Sequence, residues 1–407
     1  MKKSTIIFLF FGYLAFGFQM KSIQEFGVKP ENEASLNKIN LQKAIDWATK
    51  SGAALWVEPS DKPYHINGGI ILKDNVSLIG VHGPTPRGTI HDTKKQPVGS
   101  VFKITDKNNA FITVKSSTQI KGIQFWYANQ TLNNPSGIIE YPATIQVSKT
   151  SFTQGVYLSC LSFYGEYLAF DFYASRKYPC ELMTFEHCYG YPLSGEFIRM
   201  NYVFDVPRIL HCHVNPASQR FIGGQIERNV VDAVIAKKTF AYSINNTDNA
   251  QIIDLFTFGT YGGILLGEES YGQLTNFNFD CVAIGILKQG SNTKNRNWQI
   301  SQGSIIANTG EKVENIHPII IEGQGHTSLT NVEAFSGGNS ALTPVKEEMS
   351  WDYLLVRGNK KVTVSVFGAR MRNYMSDSPV TIENENAILQ FLACIDKNEG
   401  FYNTIID

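Results

Sequence analysis

The chain has 407 residues, and its 36 Lys and Arg balance 36 Asp and Glu, so the formal net charge is zero. That balance gives no reason to expect nucleic acid or a membrane surface as a partner. No Pro-, Gly- or Ser-rich linker divides the chain, which is long for one compact domain. Elongated repeat architectures escape this size limit because each repeat adds its own part of the core.

Residues 1–18 have the pattern of a signal peptide. Lys2 and Lys3 precede an apolar run that is short for a membrane span, and the small residues Ala15 and Gly17 lie near a suitable cleavage point. We therefore expect an exported protein, periplasmic or secreted, whose residues 19–407 form a single domain without a membrane span. An uncleaved anchor is the alternative.

The six cysteines predict neither a metal site nor a redox motif. They form no CxxC pair and no Cys/His set with zinc spacing. We expect most of them to be buried as small apolar side chains. No metal ion or other cofactor is expected.

One helix is predicted, at residues 40–52, where apolar residues recur at helical spacing from Leu41 to Ala48. Asn40 is the expected N-cap and Gly52 the expected end of this helix.

After the helix, the sequence consists of short strands that alternate apolar and polar residues and end in Gly, Asn, Asp or Pro. Similar runs recur at 120–128, 156–165, 181–190, 208–216, 250–259, 272–281, 297–306, 327–337 and 361–371. A loose repeat of roughly 20–50 residues with one strand motif is typical of a solenoid. A β-sandwich also has strands at turn-punctuated intervals. A solenoid explains the helix better, because it needs a cap over its exposed end.

The segment 23–83 carries a recognisable set of motifs. They are Phe26-Gly27, the helix around Ala44-Ile45, Trp56-Val57-Glu58-Pro59, Tyr64-His65-Ile66 and Val76-Ser77-Leu78-Ile79-Gly80. Together they resemble the opening of the pectate-lyase superfamily, which includes the polygalacturonases. The paired aspartates usual before the helix are absent, and Asn32, Glu33 and Ser35 occupy that region. The resemblance implies an all-β fold, a right-handed parallel β-helix (β-solenoid) with an N-terminal capping helix.

The motifs of two reaction types in that superfamily are missing. Polygalacturonases carry N-T-D, D-D, G-H-G and R-I-K in order, whereas Asn246-Thr247-Asp248 stands alone here and is more simply a turn. Calcium-dependent pectate lyases carry W-I-D-H and R-x-P-x-x-R patterns, and neither occurs. Acidic residues are also sparse on the candidate strands, so no calcium cage is predicted.

Metal-free β-elimination at a uronic acid fits the residues better. It needs a cation at the carboxylate, a base for the neighbouring proton and an acid for the leaving group. Arg, His and Tyr suit these roles. The window 164–228 concentrates them, with five of the ten arginines and three of the eight histidines.

The run PRILHCHVNP (207–216) holds two of these histidines. Its alternating apolar residues are expected to face the core, namely Leu210, Cys212 and Val214. That pattern places His211 and His213 together on the outer face, about 7 Å apart.

A third histidine, His187, lies 24 residues before His211, close to one repeat. Stacked coils bring equivalent residues to about 4.8 Å, so these two histidines are expected to be neighbours. We expect the remaining histidines, including His326, to be structural.

We therefore predict an enzyme that forms a 4,5-unsaturated uronate in an acidic polysaccharide or oligosaccharide. Arg208 and Arg176 would bind the carboxylate, His211 or His213 would be the base, and Tyr189 or His187 the acid. The further predicted substrate-binding residues are Lys177, Arg199, Tyr202 and Arg220. The leaving group stays open: a sugar would make a lyase, and water would make a dehydratase. A dehydratase of ulvan-type oligosaccharides is one such option, without a matching motif here.

Two other functions stay open. An inverting glycoside hydrolase would use Asp171, Glu186 or Asp205, since such enzymes need a pair of carboxylates. A non-catalytic β-helix would bind carbohydrate as an adhesin or a tail-spike-like module. The loops 128–142 and 337–352 are long and polar enough to wall in a cleft.

Overall fold

The computed structural model describes residues 20–83, 96–220, 226–291, 296–307, 316–335, 352–372, 374 and 376–407. The predicted signal peptide therefore lies outside the described residues. Within the described part of the chain, no helix is long and apolar enough to cross a membrane.

Short strands dominate these residues. In chain order they are β1 (Met20–Ser22), β2 (Ala54–Trp56), β3 (Tyr64–His65), β4 (Ile70–Leu72), β5 (Ser77–Ile79), β6 (Val101–Lys103), β7 (Ile112–Val114), β8 (Thr118–Lys121), β9 (Gln124–Trp126), β10 (Ile145–Val147), β11 (Thr153–Tyr164), β12 (Phe170–Tyr173), β13 (Cys180–Gly190), β14 (Ile198–Phe204), β15 (Arg208–Leu210), β16 (His213–Val214), β17 (Phe240–Thr247), β18 (Ala250–Ile253), β19 (Phe256–Phe258), β20 (Gly262–Leu266), β21 (Gly272–Thr275), β22 (Asn278–Val282), β23 (Ile284–Lys288), β24 (Trp298–Ala307), β25 (His317–Ile321), β26 (Gly325–Phe335), β27 (Leu354–Val356), β28 (Val362–Phe367), β29 (Arg370–Met371), β30 (Val380–Ile382), β31 (Ala387–Ile395) and β32 (Phe401–Ile406). The helices are α1 (Ala34–Ser51) and α2 (Arg228–Ile235), with short 3-10 turns at Ile23–Phe26, Pro135–Gly137 and Pro216–Gln219.

The strands stack into three parallel sheets. Sheet 1 contains β4, β7, β10, β12, β14, β17, β20, β23, β25, β27 and β30. Sheet 2 contains β1, β2, β5, β8, β15, β18, β21, β28 and the first halves of β11, β13, β24, β26 and β31. Sheet 3 contains β3, β6, β9, β16, β19, β22, β29 and the second halves of the same five long strands. The last strand, β32, pairs antiparallel with β31. The chain is a right-handed parallel β-helix, as the sequence predicts.

The helix α1 caps the first coil. It begins at Ala34, six residues before the predicted start, and Glu33 rather than Asn40 is its N-cap. Asn40 instead donates a hydrogen bond from its side-chain amide to the carbonyl oxygen of Gly27, at 2.8 Å. The predicted end is confirmed, since Gly52 closes the helix in the left-handed conformation with φ 59°.

The corner between sheets 2 and 3 consists of a single residue in most coils. Successive coils place there Cys160, His187, His211, Asp254, Asn276, Gln302 and Asn331, all in the left-handed region with φ between 50° and 56°. His, Asn and Asp are among the non-glycine residues that tolerate this region best. Each repeated sequence motif is therefore a pair of strands bent at one residue.

This corner corrects one prediction. Ile209, Cys212 and Val214 are buried, but Leu210 faces outward and is only half-buried. The left-handed residue His211 interrupts the two-residue alternation, so the side chains before and after it follow different parities.

The interior of the coil is filled with apolar side chains, many of them aromatic. Phe125 and Phe163 stack with ring centroids 5.1 Å apart, and Phe163 meets Phe170 edge to face at 5.0 Å. Most of the cysteines are buried, as predicted. Five of the six are buried, Cys160 is half-buried, and all are free thiols.

Candidate functional site

The imidazoles of His187 and His211 stack on the outside of the corner between sheets 2 and 3. Their ring centroids lie 4.8 Å apart, and the ring planes differ by 15°. Both residues occupy the single-residue corner in neighbouring coils, which fixes them at the spacing of adjacent parallel strands. The predicted adjacency of the two histidines is confirmed.

A carboxylate from the next coil orients His211. The Nδ1 atom of His211 lies 2.8 Å from Oδ2 of Asp254, which is the corner residue of the following coil. With the Nδ1–H donating to this carboxylate, Nε2 of His211 holds a lone pair that faces away from it. Both side chains are accessible, at 41% for His211 and 52% for Asp254.

Tyr189 provides a proton donor beside this pair. Its hydroxyl oxygen lies 3.1 Å from Nδ1 of His187. Burial raises the pKa of Tyr189 well above its ordinary value, and the nearby Cys212 and Cys188 add to the effect. The phenol therefore stays protonated at neutral pH.

His213 faces outward, as predicted, but lies between two aromatic rings. It stacks on Phe256 with centroids 4.2 Å apart and planes 16° apart, and the ring of Tyr189 meets it edge-on at 6.1 Å. This packing holds His213 against sheet 3. We refer to His187, Tyr189, His211, His213 and Asp254 as the histidine cluster.

Of the cationic residues predicted for the site, Arg208 is the nearest to this cluster along the chain. It lies on the outer face of sheet 2, three residues before His211 and in register with Thr184 and Gln251. One guanidinium nitrogen, Nη1, donates to the carbonyl oxygen of Val206 at 3.1 Å. Among the described residues no carboxylate forms an ion pair with Arg208, so its charge remains available to a ligand.

Glu186 lies on the same face and already has a partner. The hydroxyl of Tyr157, from the preceding coil, donates a short hydrogen bond to it. This bond to Glu186, together with burial, raises the pKa of Tyr157. Asp205, another carboxylate considered for hydrolysis, is exposed between β14 and β15 and belongs to neither group.

Four of the predicted substrate-binding residues lie on other turns and strands than the members of the histidine cluster. Arg176 and Lys177 are exposed in the turn before β13, eleven and ten residues before His187 along the chain. Arg220 is exposed at the end of the 3-10 turn that follows β16. Tyr202 bends β14 with φ 52° and is half-buried against the core.

Arg199, the fifth, lies in a cavity on sheet 1. The cavity has a volume of about 530 Å³, and Arg199 lines it together with Asp171 and Glu196. Its Nε and Nη2 atoms lie 3.1 and 3.2 Å from the two Asp171 oxygens, and its Nη1 lies 3.6 Å from Oε2 of Glu196. Lys149 adds a second cation, with Nζ 3.1 Å from Asp171 Oδ2.

The pKa values of the two carboxyl groups in this cavity are shifted in opposite directions. Burial would raise the pKa of Asp171, but the hydrogen bonds from Arg199 and the charge of Lys149 hold it below its usual value. Burial raises the pKa of Glu196 above its usual value in spite of Arg199 and Ser243. Paired carboxyls whose environments separate their pKa values are typical of acid–base catalysis.

Loop residues form one wall of the cavity. Tyr141 and Pro142 come from the loop 128–142, which the sequence predicts as a cleft wall, and Lys237 and Thr239 come from the segment after α2. The opposite predicted wall, 337–352, lies outside the described residues except for Asp352.

Sequence reasoning missed Asp254 and Glu196. Asp254 follows His211 by 43 residues because the intervening coil contains α2, so no regular spacing connects the two. The one sequence feature that could have indicated Asp254 is its position at the end of the strand motif AQIID. In the part of the chain that the structure covers, no three His, Cys, Asp or Glu side chains gather as a metal site would.

Comparison with solved structures gives the same fold. The chain is similar to the pre-mature gene product 12 of bacteriophage phi29, with a TM-score of 0.57 and 11% identity, over 92% of this chain and 52% of that one. The chain thus spans about half the length of the phage protein.

Two further solved structures are similar at lower scores. The A-module of the mannuronan C-5 epimerase AlgE6 of Azotobacter vinelandii has a TM-score of 0.46 and 10% identity, over 92% of this chain and 99% of that one. A hyperthermoactive exopolygalacturonase of Thermotoga maritima has a TM-score of 0.42 and 11% identity, over 96% and 94%. No protein-family model and no curated protein matches the chain. The likeness to the phage protein is one of fold, so the chemistry has to be argued from the residues.

Proposed function

We propose that this β-helix acts on an acidic saccharide and eliminates the group at C4 of a uronic acid residue at the histidine cluster. The observation that carries the proposal is the arrangement of two hydrogen-bonded groups together with Arg208, with which no described carboxylate forms an ion pair. His211 is held by Asp254, Tyr189 is held by His187, and Arg208 lies on the outer face of sheet 2, three residues before His211.

Arg208 binds the uronate carboxylate in this proposal. A guanidinium matches a carboxylate with two parallel N–H donors. Neutralising the carboxylate lets the electron density that develops at C5 spread into it, which makes the C5 proton removable.

His211 takes that proton on Nε2. The Asp254 carboxylate at Nδ1 fixes the tautomer and stabilises the imidazolium that forms. Tyr189 protonates the leaving oxygen, because its phenol is the hydroxyl donor that His187 holds beside His211.

The step balances within these groups. The C5–H and C4–O bonds break, a C4–C5 double bond forms, one proton moves to His211 and one leaves Tyr189. His187, which is hydrogen-bonded to Tyr189 and stacked on His211, is placed to restore the phenol proton.

The test is to incubate the pure protein with uronate oligosaccharides and to follow ultraviolet absorbance, reducing ends and product mass together. A lyase gives absorbance with new reducing ends, and a dehydratase gives absorbance with loss of one water and no new ends. Tyr189→Phe should lower the rate by at least about 100-fold, and His211→Ala should do likewise. His65→Ala is the matched control, since His65 bonds to Thr105 in the first coils. Full activity in both cluster variants would place the chemistry elsewhere.

A second candidate function is hydrolysis in the sheet 1 cavity. The opposed pKa shifts of Asp171 and Glu196 favour it, with Glu196 as acid and Asp171 as base. The Arg199 guanidinium contacts both carboxyls, and inverting enzymes act with such a pair of carboxyl groups. New reducing ends without absorbance, abolished by Glu196→Gln and retained in Tyr189→Phe, would establish this function instead. A protein that binds saccharide without any product would be a binding module.

A further inference from the structure

The outer face of sheet 2 carries a column of neutral polar side chains in the coils that follow the histidine cluster. From β15 to β28, one outward position in each coil carries Arg208, Gln251, Gln273, Gln299, Ser328 and Ser365, in strict parallel register. We call this column the amide face. The neighbouring outward position carries Thr275, Ser301 and Thr330 in the middle coils.

The amide groups on this face are available for binding. Gln273 and Gln299 are exposed and Gln251 is half-buried. None of the three side chains hydrogen-bonds to another described residue. Each primary amide offers two N–H donors and a carbonyl acceptor, which suits the hydroxyls and ring oxygens of a saccharide.

The face also lacks the charges that exposed surfaces usually carry. On β18, β21, β28 and the sheet 2 halves of β24 and β26, no described outward residue is Asp or Glu. Solvent-exposed strand positions commonly carry such residues. An acidic polymer therefore meets no carboxylate at the outward positions of these five strands, and the exposed Asp254 at the corner after β18 is paired with His211.

A cavity lies at the far end of the face. It has a volume of about 340 Å³ and is lined by Asn297, Gln324, Gly325, His326, Lys361 and Thr363. His326 connects it to the column, with Nδ1 2.8 Å from Thr363 Oγ1 and Nε2 3.4 Å from Ser365 Oγ. His326, expected to be structural, thus also forms the cavity wall.

Cations stand at both ends of this surface. Arg208 marks the end beside the histidine cluster, and Lys361 lines the cavity at the other end. Five inter-strand steps separate β15 from β28, which amounts to about 24 Å. Charge at the two ends and repeated neutral amides between them fit an extended chain with periodic carboxylates.

We infer that the amide face and its terminal cavity bind an extended acidic polysaccharide, which runs along the β-helix axis from the histidine cluster toward Lys361. This inference rests on the proposed function for its substrate class and adds that the substrate is a polymer. The polymer contacts one amide in each successive coil. Long chains consequently bind more tightly than short ones.

The test measures binding separately from turnover. Polygalacturonate and alginate, each as a long fraction and as tetrasaccharides, are titrated into the full chain carrying Tyr189→Phe, with dextran as a neutral polymer. We expect the long acidic fraction of at least one of them to bind at least tenfold more tightly than its tetrasaccharide. In that background, Gln273→Ala combined with Gln299→Ala should weaken polymer binding roughly tenfold, as the loss of two hydrogen bonds predicts.

Matched controls come from the same regions. Gln289→Ala changes an exposed glutamine in a turn after sheet 1 and should leave polymer binding unaltered. Lys361→Gln should weaken binding and reduce its dependence on salt, whereas Lys360→Gln, in the same turn but outside the cavity lining, should not.

The outcomes separate the two proposals. Equal affinity for long and short chains, unaltered binding in the double glutamine variant, or no binding of either acidic polymer overturns the amide face. Formation of an unsaturated product with any of these results leaves the elimination standing. A third outcome is length-dependent binding that the double glutamine variant weakens, with no unsaturated product from the unmodified chain. This outcome refutes elimination and supports polymer binding at the amide face.

Discussion

Glu166 offers a test of the electrostatics inside the coil. The residue is completely buried, and neither carboxyl oxygen has a hydrogen-bond partner among the described residues. Burial raises the pKa of Glu166 from 4.5 to about 8, although the nearby backbone amides of Glu166 and Tyr191 favour the ionised form. The folded protein therefore holds a proton there at neutral pH that the unfolded chain has released.

The sign of the effect follows from this difference in bound protons. Between pH 4.5 and about 8 the folded state binds more protons than the unfolded state, so the free energy of unfolding falls as the pH rises. The stabilisation of the protonated form is complete below pH 4.5 and lost above about pH 8. At 1.36 kcal/mol for each pKa unit, the shift from 4.5 to about 8 corresponds to roughly 5 kcal/mol, an upper limit if the site does not relax.

The experiment compares Glu166→Gln with the unmodified chain. The variant cannot ionise, so its free energy of unfolding should lack this component of the fall between pH 5 and pH 8. Urea unfolding at intervals of one pH unit measures it, and the difference between the two proteins isolates Glu166 from the other titrating groups. Glu31→Gln, at an exposed glutamate, is the control and should keep the slope of the unmodified chain. If the free energy of unfolding depends on pH in the same way for Glu166→Gln and the unmodified chain, Glu166 is not a buried neutral acid.

Three further predictions concern the two sites and the core beneath them. Asp254→Asn should lower kcat/KM for elimination about 5- to 30-fold, because the exposed carboxylate contributes a screened, charge-assisted hydrogen bond to His211; steady-state kinetics on a uronate oligosaccharide measures this, and an unchanged value would exclude Asp254 from positioning the base. Asp171→Asn should destabilise the fold by about 1–3 kcal/mol in urea unfolding, since it leaves the half-buried Arg199 without its two-pronged partner, whereas the exposed Asp205→Asn should cost nothing measurable. Gly190→Ala should lower the melting temperature, because its added Cβ would lie 2.3 Å from Glu166 Oε1 and 3.0 Å from Phe197 Cε2; an unaltered melting temperature would contradict that packing.

The sequence predicts the β-helix because its coils repeat a local pattern. Each coil contributes a strand motif with the same apolar alternation, and the helix ending at Gly52 provides a cap that a solenoid requires. The same regularity predicts the stacking of His187 on His211, since a 24-residue coil with no insertion keeps them in register. These predictions depend only on the number of residues that separate positions along the sequence.

The missed features depend on contacts between coils of unequal length. Asp171, on the preceding strand of sheet 1, forms an ion pair with the predicted substrate-binding residue Arg199, a contact that the sequence does not indicate. Leu210 was predicted to face the core, but the left-handed corner at His211 changes the parity. Neither the register of sheet 1 nor a single positive φ can be deduced from composition and periodicity alone.

The one-residue corner between sheets 2 and 3 has a consequence for how the chain tolerates change in length. His187 and His211 are 24 residues apart and His211 and Asp254 are 43 apart, yet all three are adjacent corner residues. The additional residues of the longer coil are absorbed on the path from sheet 3 back to sheet 1, where α2 is located. Insertions on that path leave the corner spacing intact, whereas a single added residue at the corner would reverse the facing of the side chains in the rest of that strand. An engineer could therefore exchange the loops over sheet 1 to alter what the cavity admits, while the corner residues of the histidine cluster keep the spacing of adjacent strands.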